Sequence, residues 1–440
     1  MLSSVGQVLH VALPLVVSTG LFSLALFVDR TFLLWHDGQS MGAALSGGNA
    51  FWVLICIPMG TVSMTGAIVS QYVGAGRERD VGRFMWQSVW FSMAVAPWAI
   101  LVSQFAGDIF VWTNQPAALV PIQAAYLRTL MIGAVGQVME TALSGFFSGT
   151  QRTRTIMVVS IIAAVINIVG DGVLIFGVDE SWLPLTIPPL GIVGAGIASS
   201  ISFWFKALAY GYLLCRPELS SRYGVRRGLA WDKHLIGKLL FFGFPTGLMY
   251  ITESGAFAVI MIMIGTLGDL PLRATTMAIN FNMIAFIPLV GVSIAASVLV
   301  GNALTQSDAR TRQTAAPAKE TDTLAKDTDR LASQADSDSP QASSVEIQVD
   351  AEAIQASPEA IRLAHASLGL GLLYGLIWAM IYAFARPALL ATYRGGSQPD
   401  AVTEAALEVA DGLLVFVAWY IVADAIQLVL AGILRGAGDT

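Results

Sequence analysis

The sequence predicts an all-α polytopic membrane protein. Three observations carry that prediction: too little charge for a water-facing surface, apolar runs long enough to cross a bilayer, and basic residues gathered in alternate connections. Of the 440 residues, 55% are hydrophobic and 12% charged. A soluble domain carries about 25% charged residues, so much of this surface is expected to face lipid. The runs fall at roughly 8–34, 42–74, 82–104, 122–149, 153–177, 188–215, 236–268, 272–304, 361–388 and 404–435, against the ~20 apolar residues that a crossing needs. Every backbone N–H and C=O at membrane depth must be satisfied within its own segment, so these ten runs read as helices and not strands.

Taken in order, the first run starts near Leu9 with no basic stretch or small-residue cleavage site ahead of it, and reads as a retained span. The connection after the second span carries Arg77, Arg79 and Arg83, the one after the fourth Arg152 and Arg154, and the one after the sixth Arg216, Arg222, Arg226, Arg227 and Lys233. The first and fifth connections (35–40 and 178–189) hold no Lys or Arg, and neither does the third. By the positive-inside rule the even-numbered connections and the N-terminus are cytoplasmic, with Arg273, Arg386 and Arg394 as exceptions. The expected location is the inner (plasma) membrane. The stretch 305–360 is rich in Ala, Ser, Thr, Asp and Gln, has no aromatic residue, and reads as a disordered cytoplasmic insert.

Composition also excludes functions. The net charge of −6 is not clustered, so nucleic acid is not an expected partner. Cys56 and Cys215 lie in or beside spans and imply no disulfide framework. His10, His36, His234 and His365 have no metal-ligand spacing, against a haem or di-iron membrane enzyme. No convergent nucleophile and base are visible, which disfavours any enzyme, and there is no repeated pore ring of the kind a channel uses.

Internal self-similarity adds a second level. Ile57-Pro58 followed by Val62-Ser63 in span two recurs as Ile287-Pro288 and Val292-Ser293 in span eight. Leu13-Pro14 in span one pairs with Phe244-Pro245 in span seven, and Ser144-Gly145 through Gly149-Thr150 with Ala431-Gly432 through Gly436-Ala437. Spans one, two and four thus recur as seven, eight and ten. The expectation is two parallel six-helix repeats, or lobes, about a central cleft. On that reading the N-lobe is 1–215, the inter-lobe connection 216–235 and the C-lobe 236–440. The second repeat would be truncated after its fourth helix, giving ten helices of an expected twelve.

Several motifs resemble the multidrug and toxic compound extrusion (MATE) transporters. They are Val69-Ser70-Gln71-Tyr72-Val73-Gly74-Ala75-Gly76 closing span two, and Asn167-Ile168-Val169-Gly170-Asp171 with Leu174-Ile175-Phe176-Gly177 in span five. Gly191-Ile192-Val193-Gly194-Ala195-Gly196 opens span six, and Leu434-Arg435-Gly436-Ala437-Gly438-Asp439-Thr440 follows span ten. The resemblance covers nearly the whole chain apart from 305–360. It implies twelve helices in two lobes and export of organic, often cationic, compounds against entry of sodium or protons, with no cofactor beyond that coupling ion. Small organic substrates and membrane lipids are then the partners, and a monomer is expected. A flippase for a lipid-linked precursor is the sister reading; it needs a basic cleft for phosphates, and few Lys or Arg lie within the spans. A non-transporting truncated fragment is the other alternative.

An ionisable group at membrane depth costs about 2.5 kcal/mol or more and is a functional candidate for that reason. In the first half these are Asp29 in span one and Asp171 in span five; Asn167 is one turn before Asp171 and shares its helix face. Two carboxylates and an amide can cage sodium, or hold a proton between them. The resemblance places Asp29, Asn167 and Asp171 at an N-lobe cation site. The bland readings are an interfacial Asp29–Arg30 pair and an Asp171 satisfied by Asn167. In the second half the candidates are Glu253, near Tyr250, and Asp424, followed one turn later by Gln427; the resemblance assigns Glu253 and Asp424 to a C-lobe cation site. Glu140 corresponds in the repeat to Gln427, and Gln137 to Asp424, so Glu140 is a candidate contact to substrate or to the N-lobe network. Gln71 and Asn282 are expected to line the cleft. Trp52, Trp86, Trp90, Trp204, Phe203 and Phe281 offer aromatic faces, though Trp also forms the interfacial belt.

Overall fold

A computed structural model describes residues 2–36, 38–113, 115–178, 187–327, 357–391 and 401–438 of the chain. Fifteen helices are found among them, α1 (Leu2–His36), α2 (Gly38–Ser63), α3 (Thr65–Gly74), α4 (Glu78–Ala94), α5 (Ala96–Gln104), α6 (Ala106–Trp112), α7 (Val120–Gly149), α8 (Thr153–Phe176), α9 (Ile192–Leu214), α10 (Pro217–Arg222), α11 (Lys233–Thr266), α12 (Asp269–Asp327), α13 (Pro358–Phe384), α14 (Arg386–Ala391) and α15 (Ala401–Ala437). Ten stretches of helix among the described residues are long and apolar enough to cross a membrane, matching the ten runs of the sequence. The chain is a multi-pass membrane protein.

Two spans are built from more than one helix. The second breaks at Met64, between α2 and α3, and the third at Val95, where Pro97 opens α5. Proline lacks the N–H needed to continue the ladder, so a break just before it is the expected outcome. Pro14, Pro58 and Pro245 instead sit inside continuous helices.

The insert expected over 305–360 is corrected at both ends. Helix α12 runs without interruption to Asp327, and α13 starts at Pro358, where the Ser357 side chain accepts from the backbone N–H of Glu359. Ala, Arg, Gln, Lys, Glu and Leu, all strong helix formers, make up 13 of the 23 residues over 305–327, and they propagate the helix although they cannot build a core. The remainder of the insert, 328–356, lies outside the described residues.

The connection 216–235 is docked and not a free linker. Gly82 donates its N–H to Tyr223 O at 2.8 Å, the Trp86 indole donates to Val225 O at 2.7 Å, and Gln87 donates to Ala230 O at 2.9 Å. Gly224 takes a positive φ of 67° there, a backbone turn that glycine adopts without strain. Arg222 and Arg83 add ion pairs to Glu78 at 2.7 Å and Asp232 at 3.0 Å.

Small residues set the helix spacing, as membrane helices with no hydrophobic drive between them require. A methyl group at Gly60 would collide with the backbone of Gly247, joining α2 to α11, and one at Gly291 would meet Val16 N at 2.7 Å, joining α12 to α1. Gly145 and Gly149 of α7 approach Thr65, Gly66 and Val69 of α3; Gly432 and Gly436 of α15 approach Ser293 and Ser297 of α12 in the same manner.

Buried side chains divide unevenly along the membrane normal. One core combines Val8, Val11 and Leu15 of α1 and Ile68 and Tyr72 of α3 with Ala295 and Leu299 of α12 and Leu363 of α13. A second, around Leu33, Ile55, Leu127 and Ile175, belongs to the first six spans alone. A third, around Ala274, Ala278, Tyr382 and Leu414, belongs to the last three alone. The two groups of spans therefore share a core at the end that carries Arg77 and Arg152, and keep separate cores at the other.

Candidate functional site: buried carboxylates in both halves

Helices α1, α7 and α8 bring three of the expected residues together. Asp29 and Asp171 are 3% and 0% exposed, on different helices, and the two carboxylates repel each other electrostatically. The neighbourhood is fixed by α1–α8 packing: Ser18 and Ser160 hydroxyls meet at 2.5 Å, and Phe32 and Phe176 rings pack edge to face at 5.7 Å. The Tyr126 hydroxyl of α7 donates to Asp29 Oδ2 at 3.2 Å. Asp29 Oδ1, both Asp171 carboxylate oxygens and Asn167 Nδ2 have no hydrogen-bond partner among the described residues. Asp171 is therefore not satisfied by Asn167, and the bland reading of that pair fails. Arg30 attracts Asp29 through space.

An unpaired buried charge costs several kcal/mol unless an ion or proton compensates it. Three carboxylate oxygens turned inward beside an amide offer the hard donors that a monovalent cation takes, and equally a place to hold a proton. No cluster of three or more His, Cys, Asp or Glu suited to a metal occurs among the described residues.

The second half is arranged differently. Asp424 is 4% exposed with Oδ2 unpartnered among the described residues, and Tyr420 precedes it by one helical turn. Glu253 acts on Asp424 electrostatically and is itself attracted by Arg435. Asp424 gives the second half its buried acid, but Glu253, its expected companion, is exposed. The reason lies in α11, which packs on α2 through Gly243 and Gly247, with Ser254 contacting Cys56 at 3.6 Å. Glu253 is about 100° round the helix from Ser254, off that packed face. Gln427 is exposed and Tyr250 half-buried, while Asn282 is 7% exposed with an unpartnered Oδ1 among the described residues.

Gln71 and Glu140 have partners that their positions in the sequence did not show. Gln71 Nε2 donates to Gly436 O at 3.2 Å, tying α3 to α15, beside Asn302, which donates to Ser70 O at 3.4 Å. Glu140 is not a free carboxylate, since Lys206 Nζ of α9 lies 2.7 Å from its Oε1, with both side chains nearly buried, and Gln137 donates to the same oxygen at 3.4 Å. Lys206 and Tyr126 were not singled out from the sequence. Lys206 carried a signal, a cation well inside the apolar run 192–214, of the same kind that marked the acids. The indoles of Trp86, Trp90 and Trp204 are committed to backbone carbonyls of Val225, Leu229 and Ile132.

A bundle of membrane-spanning helices with orphaned carboxylates at depth defines a multi-pass membrane protein with candidate ion sites. The MatE family model matches residues 14–173 and 245–316, over half of the chain, and the protein belongs to the MatE family. The chain is similar to the probable multidrug resistance protein NorM of Xanthomonas axonopodis pv. citri, 28% identical over 314 residues that cover 69% of this chain and 66% of that protein. It is also similar to the multidrug resistance protein PmpM of Pseudomonas aeruginosa, 24% identical over 444 residues, covering 99% and 79%. Among solved structures, the eukaryotic MATE transporter AtDTX14 shares the fold, with a TM-score of 0.76 at 15% identity, covering all of this chain and 84% of that one. The chain thus spans just under two thirds of the NorM relative's length. These relatives are named as transporters and resistance proteins, not enzymes.

Proposed function

We propose that this protein is a secondary antiporter that exports small organic, chiefly cationic, compounds in exchange for sodium or protons. The observation that carries the reading is Asp171: fully buried, close to a second buried carboxylate, and with neither oxygen hydrogen-bonded among the described residues. A cation entering beside Asp29, Asn167 and Asp171 relieves that repulsion, and so favours whichever conformation forms the site. Differential binding of this kind is the only way an ion can shift a conformational equilibrium.

The two-lobe layout, with six spans before the connection and the rest after it, supplies the moving parts. It is supported by the shared core at one end and the separate cores at the other, which is the packing that a cleft open on the side away from Arg77 and Arg152 requires. The matching glycine contacts of α7 on α3 and α15 on α12 support the repeat. Glu253 and Asp424 form the corresponding acidic pair of the second half, and Tyr250, Gln427 and Asn282 are the nearby polar groups for substrate. The even-numbered connections and the N-terminus are cytoplasmic on this reading, and the protein works in the plasma membrane as a monomer.

The test is substrate efflux from reconstituted vesicles under an imposed ion gradient. Asp171→Asn is expected to reduce gradient-driven efflux at least ~10-fold, the loss of a group essential to coupling. If Asp171→Asn, Glu253→Gln and Asp424→Asn all leave ion-driven efflux intact, the assignment is wrong.

A further inference from the structure

We propose that Lys206 is an internal occupant of an organic-cation site, and that an exported cation binds the first half by displacing the lysine ammonium from Glu140. This rests on the reading of the protein as an exporter of organic cations, and names one site where such a cation sits.

The argument begins with what surrounds the ammonium. Its Nζ is 2.7 Å from Glu140 Oε1, and the two side chains are 12% and 11% exposed. The same nitrogen lies 5.6 Å from the Phe203 ring centroid and 5.9 Å from that of Phe22. Gln137 donates to Glu140 and fixes the carboxylate from its own helix. The aromatic surface extends further: Phe51 stacks on Phe203 with centroids 6.3 Å apart and planes 2° apart, and Trp52 meets Phe22 edge-on at 6.2 Å. A carboxylate backed by aromatic faces is the chemistry that recognises lipophilic amines and quaternary cations.

A role confined to holding α7 against α9 does not call for this arrangement. Those helices already interlock where Gly133 meets Ser200 and Gly136 meets Trp204, and Ser200 donates to Thr129 O at 2.6 Å. A buried ion pair adds little net stability over apolar side chains of similar size. Lysine, moreover, carries its charge on a flexible four-carbon stem. It can withdraw from the rings without any helix moving. An incoming monovalent cation then takes its place, Glu140 keeps one counter-charge throughout, and no bond is made or broken. The exchange leaves Asp29 and Asp171 untouched. Lys206 therefore sets a threshold: only cations that bind Glu140 and the rings better than the tethered ammonium enter, which favours large delocalised charges over small hydrated ones.

The experiment is equilibrium binding of tetraphenylphosphonium to the full chain in lipid nanodiscs, with no ion gradient. Lys206→Met removes the tethered competitor and is expected to tighten binding about 10-fold or more. Adding Glu140→Gln to that variant is expected to abolish the gain. Unchanged or weaker binding by Lys206→Met, or a gain that persists in the double variant, overturns the proposal. A second measurement on the unsubstituted protein guards against misfolding of the variant: saturating tetraphenylphosphonium is expected to accelerate acylation of Lys206 by a membrane-permeant amine reagent, read by mass spectrometry. No acceleration contradicts the displacement. Because binding is read without a gradient, a negative result here leaves ion-driven export standing, and a failure of ion-driven export leaves this result standing.

Discussion

Asp171 and Glu140 are both acids of the first half, and their surroundings treat them in opposite ways. Glu140 has a cation at 2.7 Å and an amide donor, whereas Asp171 has a second carboxylate nearby and no donor among the described residues. The difference separates a compensated charge from one that calls for a mobile ion. It also predicts a difference in stability. Glu140→Gln strands the Lys206 ammonium and is expected to cost about 3–5 kcal/mol, whereas the double variant Glu140→Gln/Lys206→Met restores most of that loss. Thermal unfolding of the two in detergent decides it; equal destabilisation would mean that the pair contributes through packing alone. Asp29, Asp171 and Asp424 were legible in the sequence because an ionisable residue in an apolar run is conspicuous whatever it touches. Their partners were not. That Tyr126 reaches Asp29, or Lys206 reaches Glu140, depends on which helices pack together, and spacing along one helix carries no such information.

At the scale of helices, the spans were readable from length and hydropathy, and nearly all of their contacts were not. Gln71 shows why: a polar residue near the end of an apolar run reads as cleft-lining, yet it ties α3 to α15 across 365 positions of sequence. The end of α12 was misplaced for a related reason, since composition that cannot build a core can still propagate a helix already started. Glycines were more informative, and they carry the element-scale prediction. A side chain at Gly247 would press on the backbone of Ile57, its carbonyl oxygen first, so Gly247→Leu is expected to force α2 and α11 apart at a cost of about 1–3 kcal/mol. Gly6, which has nothing within 4 Å of an added methyl, serves as the control, and Gly6→Ala should melt like the parent. A Gly247→Leu protein as stable as the parent would mean that this contact does not hold the halves together.

For the whole molecule, the proposed cycle requires the two halves to change their mutual packing while each stays intact. The contact of Cys56 Sγ with Ser254 Oγ at 3.6 Å crosses between α2 and α11, so Ser254→Cys alone places two thiols within bonding reach. Oxidation of that variant is expected to stop transport and reduction to restore it, as followed by substrate flux; undiminished flux through the oxidised protein would mean that these helices do not separate during the cycle. The central claim is ion-coupled export, and the most direct measurement is flux of an organic cation from vesicles containing the unmodified protein, with an inward sodium or proton gradient imposed in turn. Efflux driven by at least one gradient, and lost in Asp171→Asn, is the predicted result. Efflux that is the same with and without either gradient would contradict it.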